Sequence, residues 1–304
     1  MKKMNLFAVL VVFCLLATQA SAETSFNLAV TKVYNSRGKV VEQTYVDDQG
    51  NPTVAENLGY AIIRNAYENG TKLAGQIFLD EKGTPVEAAS GYAYWIQSYN
   101  ANGRVVEKAY YHLDGSLAIG PEGYARIENT YYGKKLTDTW HYGTDGAPLR
   151  SDTLYAHYQV TRSKNKYKDS KIDREDYFDA DGNLMRCANG YASVVFEYEG
   201  NYYETSMSYL DENGALCVNE AMGYAQKRIS YKNGRKAEES YFDERGNYAP
   251  GPEGYASIKY KWKSSTLCTE MYFDEFGEPF MLAGGYCGVE KQYLRGIKDR
   301  KSVV

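Results

Sequence analysis

A three-residue motif, Gly-Tyr-Ala or a close relative, recurs at nearly constant spacing and constrains the fold more than any other feature of the chain. It stands at Gly59-Tyr60-Ala61, Gly91-Tyr92-Ala93, Gly123-Tyr124-Ala125, Leu154-Tyr155-Ala156, Gly190-Tyr191-Ala192, Gly223-Tyr224-Ala225, Gly254-Tyr255-Ala256 and Gly285-Tyr286-Cys287. Successive tyrosines lie 32, 32, 31, 36, 33, 31 and 31 residues apart. A fixed period in this range marks tandem structural units, so the unit and not the whole chain is what must be read.

Each unit reads as a β-hairpin followed by a turn. In the unit that starts at Gly91, Tyr92 to Tyr99 alternates, with Ala93, Trp95, Gln97 and Tyr99 on one side and Tyr92, Tyr94, Ile96 and Ser98 on the other, which is the period of a strand. Asn100-Ala101-Asn102-Gly103 supplies residues that tolerate positive φ, and Arg104 to Tyr111 returns as a second strand. A second turn ends at Gly50, Gly83, Gly115, Gly146, Gly182, Gly214, Gly246 and Gly277. An aspartate stands three residues earlier in six units (Asp47, Asp80, Asp179, Asp211, Asp243, Asp274), and an aromatic or His141 five residues earlier in all of them. Pro52, Pro85, Pro148 and Pro279 each follow the turn glycine by two residues. With 31 tyrosines and 28 glycines and no helical spacing of apolar residues, the composition agrees with β structure. The side of the first strand that carries the alanine is mostly apolar or aromatic, as in Ala192-Val194-Phe196-Tyr198, and the other side is polar, as in Tyr224-Gln226-Arg228-Ser230. One hairpin cannot bury such a face alone. The sequence therefore predicts an all-β, elongated antiparallel hairpin array, a meander or solenoid of about eight units of 31–33 residues that shield one another.

Residues 1–22 read as a secretory signal: basic Met1-Lys2-Lys3, an apolar run from Leu6 to Ala17, and the small-x-small site Ala20-Ser21-Ala22. Its removal takes the formal charge from −4 to −6. Residues 23–304 then form a single repeat domain, exported to the periplasm, the cell surface or the exterior, acidic enough to disfavour nucleic acid and without a segment for membrane insertion. The long 36-residue step holds the basic stretch Ser163 to Lys171, either a hinge or a longer hairpin tip. The hexapeptide Gly-Pro-Glu-Gly-Tyr-Ala occurs at both 120–125 and 251–256, which suggests duplication of a four-unit block.

Little in the chain points to catalysis. It has three histidines, His112, His141 and His157, and none of the nucleophile-elbow, phosphate-loop or zinc-helix motifs. The Asp-x-x-Gly turns lack the remaining ligands of a calcium loop and read as side-chain-capped turns; no metal or other cofactor is expected. Cys187, Cys217, Cys268 and Cys287 permit three pairings in an oxidising compartment, and neighbourhood favours Cys187 with Cys217 and Cys268 with Cys287. The motif tyrosines Tyr60, Tyr92, Tyr124, Tyr191, Tyr224 and Tyr255 fall on the polar side, where rigid rings suit contact with sugars or protein. The same recurrence also fits rings folded over the adjacent glycine turn and packed between units. Of the single-unit tryptophans, Trp95 and Trp262 fall on the predicted core face and Trp140 is the third.

The signature Tyr241-Phe242-Asp243-Glu244-Arg245-Gly246 leading to Gly254-Tyr255-Ala256 resembles tandem tyrosine-rich repeats of exported bacterial proteins, and its hairpin half, Tyr231-Lys232-Asn233-Gly234 to Tyr241, is similar to MORN-type and WG-type repeats. Units three and four depart from it, with His112 and Gly143 in place of the aspartate. The resemblance implies a β-rich binding or scaffolding array at the cell envelope, with no catalytic residue to carry over. The expectation is a non-enzymatic binding module for a protein or a cell-surface polysaccharide, or else a structural spacer without a specific ligand.

Overall fold

A computed structural model describes residues 28–162, 171–200, 203–294 and 297–303. The candidate signal segment 1–22 and residues 163–170 of the candidate hinge or tip lie outside the described residues. Among the described residues eighteen strands form one sheet. They are β1 (Ala29–Tyr34), β2 (Val40–Val46), β3 (Ile62–Glu68), β4 (Lys72–Leu79), β5 (Tyr94–Tyr99), β6 (Val105–Tyr111), β7 (Arg126–Tyr132), β8 (Lys135–Tyr142) and β9 (His157–Arg162). The second half continues with β10 (Ile172–Phe178), β11 (Ser193–Glu199), β12 (Tyr203–Leu210), β13 (Gln226–Lys232), β14 (Arg235–Phe242), β15 (Ser257–Trp262), β16 (Leu267–Phe273), β17 (Gly288–Leu294) and β18 (Ile297–Val303).

Every strand pairs antiparallel with its sequence neighbours, giving nine hairpins joined by eight links. Among the described residues each strand touches only those neighbours, so the strip is open, elongated and one layer thick. The flanks of the long 36-residue step, β9 and β10, pair with each other as one hairpin.

The alanine of the motif is a three-strand junction. Ala61 N–H donates to Leu79 O on the far side of its own hairpin, and Ala61 O accepts from Tyr45 N–H of the preceding one, both at 2.9 Å. The same two bonds recur at Ala93, Ala125, Ala156, Ala192, Ala225 and Ala256, all fully buried, so nothing larger than a methyl group has room there. The chain bends at this alanine and enters the strand one residue later. The bend overturns one expectation: the tyrosine before it is out of phase with the strand, and its ring folds onto the alanine side.

Those rings build the core. Tyr45, Tyr60, Phe78, Tyr92, Tyr110, Tyr124, His141, Tyr155, Tyr177, Tyr191, Tyr209, Tyr224, Tyr241, Tyr255 and Tyr272 form an unbroken ladder, alternating between strand aromatic and motif tyrosine. Neighbouring centroids lie 4.5–6.5 Å apart, mostly tilted or edge-on, and each such pair contributes about 0.5–1.5 kcal/mol beyond its buried area. His141 replaces tyrosine in the fourth unit, stacked at 4.6 Å on Tyr124 with Nδ1 3.0 Å from Tyr155 O.

The links close over this spine. Val86 N–H donates to Phe78 O and Ala88 N–H to Tyr92 O, folding the link back on its strand, and adjacent links join through Ala89 N–H to Leu58 O at 2.8 Å. Gly59 sits at φ +77°, and a Cβ there would lie 2.9 Å from Ala89 N, so this close approach requires glycine. The repeated hexapeptide has a similar cause. A Cβ at Gly120 would fall 2.3 Å from the Tyr110 ring and one at Gly251 would fall 2.7 Å from the Tyr241 ring. The aspartates cap backbone as expected: Asp47 Oδ1 accepts from Gln49 and Asn51 N–H, and Asp179 Oδ1 from Asp181 and Asn183 N–H. Where His112 and Gly143 replace the aspartate, Asp114 and Asp145 take part of its role, accepting from Ser116 and Ala147 N–H.

At the opposite edge the hairpins diverge. Six or seven residue pairs join the strands within a hairpin, but three join β4 to β5 or β14 to β15. Side chains bridge the opened gap: Tyr67 OH donates to Val40 O, Tyr99 OH to Leu73 O, Tyr198 OH to Ile172 O, Tyr231 OH to Glu204 O and Trp262 Nε1 to Lys236 O, at 2.7–3.0 Å. The strip thus has a thick, sealed link edge and a thin, notched tip edge.

Candidate functional site

The six tyrosines expected on the wet face are not there. Tyr60, Tyr92, Tyr191, Tyr224 and Tyr255 are 4–8% exposed and Tyr124 is half-buried, all within the spine. Burial pushes the phenols of Tyr60 and Tyr255 up to about 12. Their rings are occupied by one another, which is the packing role the recurrence also allowed.

The cysteines need a correction as well. All four are free thiols. Cys268 lies opposite Lys291 in the β16–β17 register, whereas Cys287 O accepts from Tyr272 N–H four residues further along. That offset puts them roughly 13 Å apart or more, past the ~7 Å Cα limit for a disulfide, so Cys268 does not pair with Cys287. Cys187 and Cys217 occupy non-equivalent link positions, since Cys187 N–H donates to Tyr191 O and Cys217 N–H to Tyr209 O. They are nonetheless neighbours, Cys217 Sγ lying 3.8 Å from Gly190 O in the turn that Cys187 opens.

With the inner rings spent on packing, a second set of rings lies on the outer face, at the residue after five of the spine's strand aromatics: Tyr111, Tyr142, Phe178 and Phe273 are partly exposed, and Phe242 is 9% exposed. Cations lie over several of these rings, Arg126 over Tyr142 at 4.0 Å, Arg228 over Phe242 at 4.3 Å and Lys259 over Phe273 at 4.6 Å.

Two groupings stand out. In the fourth and fifth hairpins Trp140 stacks on His157 at 4.0 Å and 7°, and His157 on Phe178 at 5.3 Å. Asp138 Oδ1 lies 3.2 Å from His157 Nε2, and Tyr142 OH donates to Glu128 Oε2 at 2.7 Å. Burial, then the Glu128 carboxylate, push the Tyr142 phenol up to about 12.

The second grouping is concave. A hollow of ≈ 540 Å³ between β11 and β14 has Phe242 and Tyr248 on one wall, stacked at 5.0 Å, with Arg228 over the Phe242 ring. Glu197, Ser206, Gln226 and Glu238 supply polar groups around it. Ser206 Oγ donates to Glu197 and Arg228 Nε to Gln226 Oε1, which fixes these side chains in place. Tyr248 is 45% exposed.

Sequence reasoning missed both groupings, though each left a signal. Trp140 directly precedes the spine residue His141 and so must face the other way. Tyr248 occupies the position two residues after the turn glycine that is proline in four units.

Among the described residues no group of three or more His, Cys, Asp or Glu side chains is placed to hold a metal ion. No family model matches the chain, and no curated protein matches it. Among solved structures it is similar to the Tc holotoxin pore of Photorhabdus luminescens, at 9% identity and a TM-score of 0.29, over 90% of this chain and 15% of that one. A likeness at that level carries no argument about fold or function.

Proposed function

We propose that the protein is an exported, non-catalytic repeat module that binds a polysaccharide on its outer face. The supporting observation is the hollow at Phe242 and Tyr248: an exposed ring beside fixed carboxylate, amide and hydroxyl groups is the combination that holds a sugar, its apolar face on the ring and its hydroxyls on the polar rim. A protein loop is the second class of ligand for such a surface. The competing reading is a spacer without a ligand, favoured by the confinement of the recurrent tyrosines to packing.

Tyr248→Ala separates these readings. Tyr248 is exposed, so the melting temperature should move by only a degree or two, whereas retention on immobilised cell-wall and surface glycans should fall about tenfold. Retention of the variant equal to the parent removes the hollow from the account, and a parent that binds no glycan and no envelope protein leaves the spacer reading.

A further inference from the structure

The strip's two long edges carry opposite charge, and one notch on the basic edge forms a groove. The links are acidic: 47–61, 211–225 and 274–287 each hold three carboxylates and no cation. Most tips are basic: 231–236 holds three cations and no carboxylate, and 131–136 and 261–268 hold two each. The tip between β11 and β12 is acidic, with Glu199 and Glu204, and the one between β3 and β4 is neutral, with Glu68 and Lys72. Since the whole chain is acidic, the basic tips are a local arrangement and not a by-product of composition.

Between the tips of β13–β14 and β15–β16 the divergence of the hairpins opens a groove of ≈ 580 Å³. Lys232, Arg235, Lys236, Lys261 and Lys263 line it. Two of the five are neutralised, Lys236 by Glu239 and Lys263 by Glu290. Arg235 is held in position, 5.0 Å over the Trp262 ring with Nη1 donating to Ser264 O at 2.7 Å. Lys232 and Lys261 are exposed, and among the described residues neither takes part in an ion pair. The groove therefore presents one oriented guanidinium and two free ammonium groups.

We propose that this groove binds a linear polysaccharide bearing carboxylate or sulfate groups. This second site is separate from the outer-face hollow and does not depend on it. Charge complementarity requires an anion. Trp262 argues against a nucleic acid strand, because its ring lies between Arg235 and Tyr293 and its Nε1 is engaged by Lys236 O, which leaves no free face for base stacking. Asn233, Tyr260 and Ser264 in the same lining suit sugar hydroxyls.

The test is titration of the full chain with polygalacturonate and with dextran sulfate, against neutral dextran and single-stranded DNA. Expected is binding to at least one acidic glycan, weakened by added salt, absent for neutral dextran, and about tenfold weaker in the Lys232→Ser/Lys261→Ser double variant at unchanged melting temperature. Equal affinity of the double variant overturns the proposal, as does failure of both acidic glycans to bind. DNA bound as tightly as the glycans and lost in the same variant would assign the groove to nucleic acid. Salt-sensitive self-association lost in that variant would assign it to the acidic edge of a second copy. Tyr248→Ala should leave acidic-glycan binding untouched, so failure here and failure of the outer-face reading are told apart.

Discussion

Replacing Tyr110 with alanine is expected to destabilise the protein by about 3–5 kcal/mol, the range for truncating a large buried aromatic side chain. Tyr110 is 1% exposed and sits between Tyr92 at 4.9 Å and Tyr124 at 6.5 Å, so its loss removes two rungs of the ladder together. The backbone at Gly120 lies flush against the ring and cannot follow it inward without moving the link. Tyr110→Phe keeps the ring and loses the 2.6 Å hydrogen bond from its hydroxyl to Glu122 Oε2. Because Glu122 is partly solvated, that change should cost only about 0.5–1.5 kcal/mol. Chemical denaturation of the three proteins measures both costs. If alanine and phenylalanine cost the same, the ladder is not what holds neighbouring units together.

The second large effect is alkaline unfolding. Burial raises the phenols of Tyr60 and Tyr255 to about 12, and it drives those of Tyr110, Tyr241 and Tyr272 further up, with Glu122, Glu239 and Glu270 adding to the shift. In the unfolded chain all of these ionise near ~10. Below that pH neither state loses phenol protons and the spine's contribution is fully present. Above it only the unfolded chain gains charge, so stability falls as pH rises from ~10 and is lost through ~12. Thermal melts across this range should show a plateau and then a steep decline, with the phenolate absorbance of the buried rings, the larger part of the total, appearing together with the loss of β-sheet circular dichroism. Ionisation of nearly all the tyrosines near ~10 with the sheet intact would mean that the spine rings are open to water.

How far the sequence reveals this molecule depends on which periodicity carries the information. Strand alternation and the asparagine, aspartate and glycine turns are local, so the hairpins, their order and the capping by Asp47 or Asp179 were legible. The tyrosine face was not, because alternation was extended one residue too far: Ala61 is a bend between three strands, and Tyr60 lies outside the strand whose phase was assigned to it. A clue was nonetheless present in the recurrence itself, since a ring required in every unit is more readily explained by unit-to-unit packing than by a ligand. The expected pairing of Cys268 with Cys287 failed for a related reason. Proximity in sequence placed Cys268 near Cys287, but antiparallel register slides them apart.

The outer-face hollow and the tip groove were less accessible. Each is assembled by residues from different units, Tyr248 with Glu197 in one case and Lys232 with Lys261 in the other, and their meeting depends on how far adjacent hairpins diverge. A repeat consensus averages such residues away.

Small-angle X-ray scattering of the monomer tests most directly whether the chain is an open strip whose units shield one another in single file. A compact globule of this length would have a radius of gyration of ~19 Å. Eighteen strands about 4.8 Å apart extend towards 80 Å, so an open strip has a radius of gyration well above ~19 Å and a pair-distance distribution with a long tail. A symmetric distribution with a radius near ~19 Å would contradict it, since the spine would then be enclosed by a closed or layered sheet.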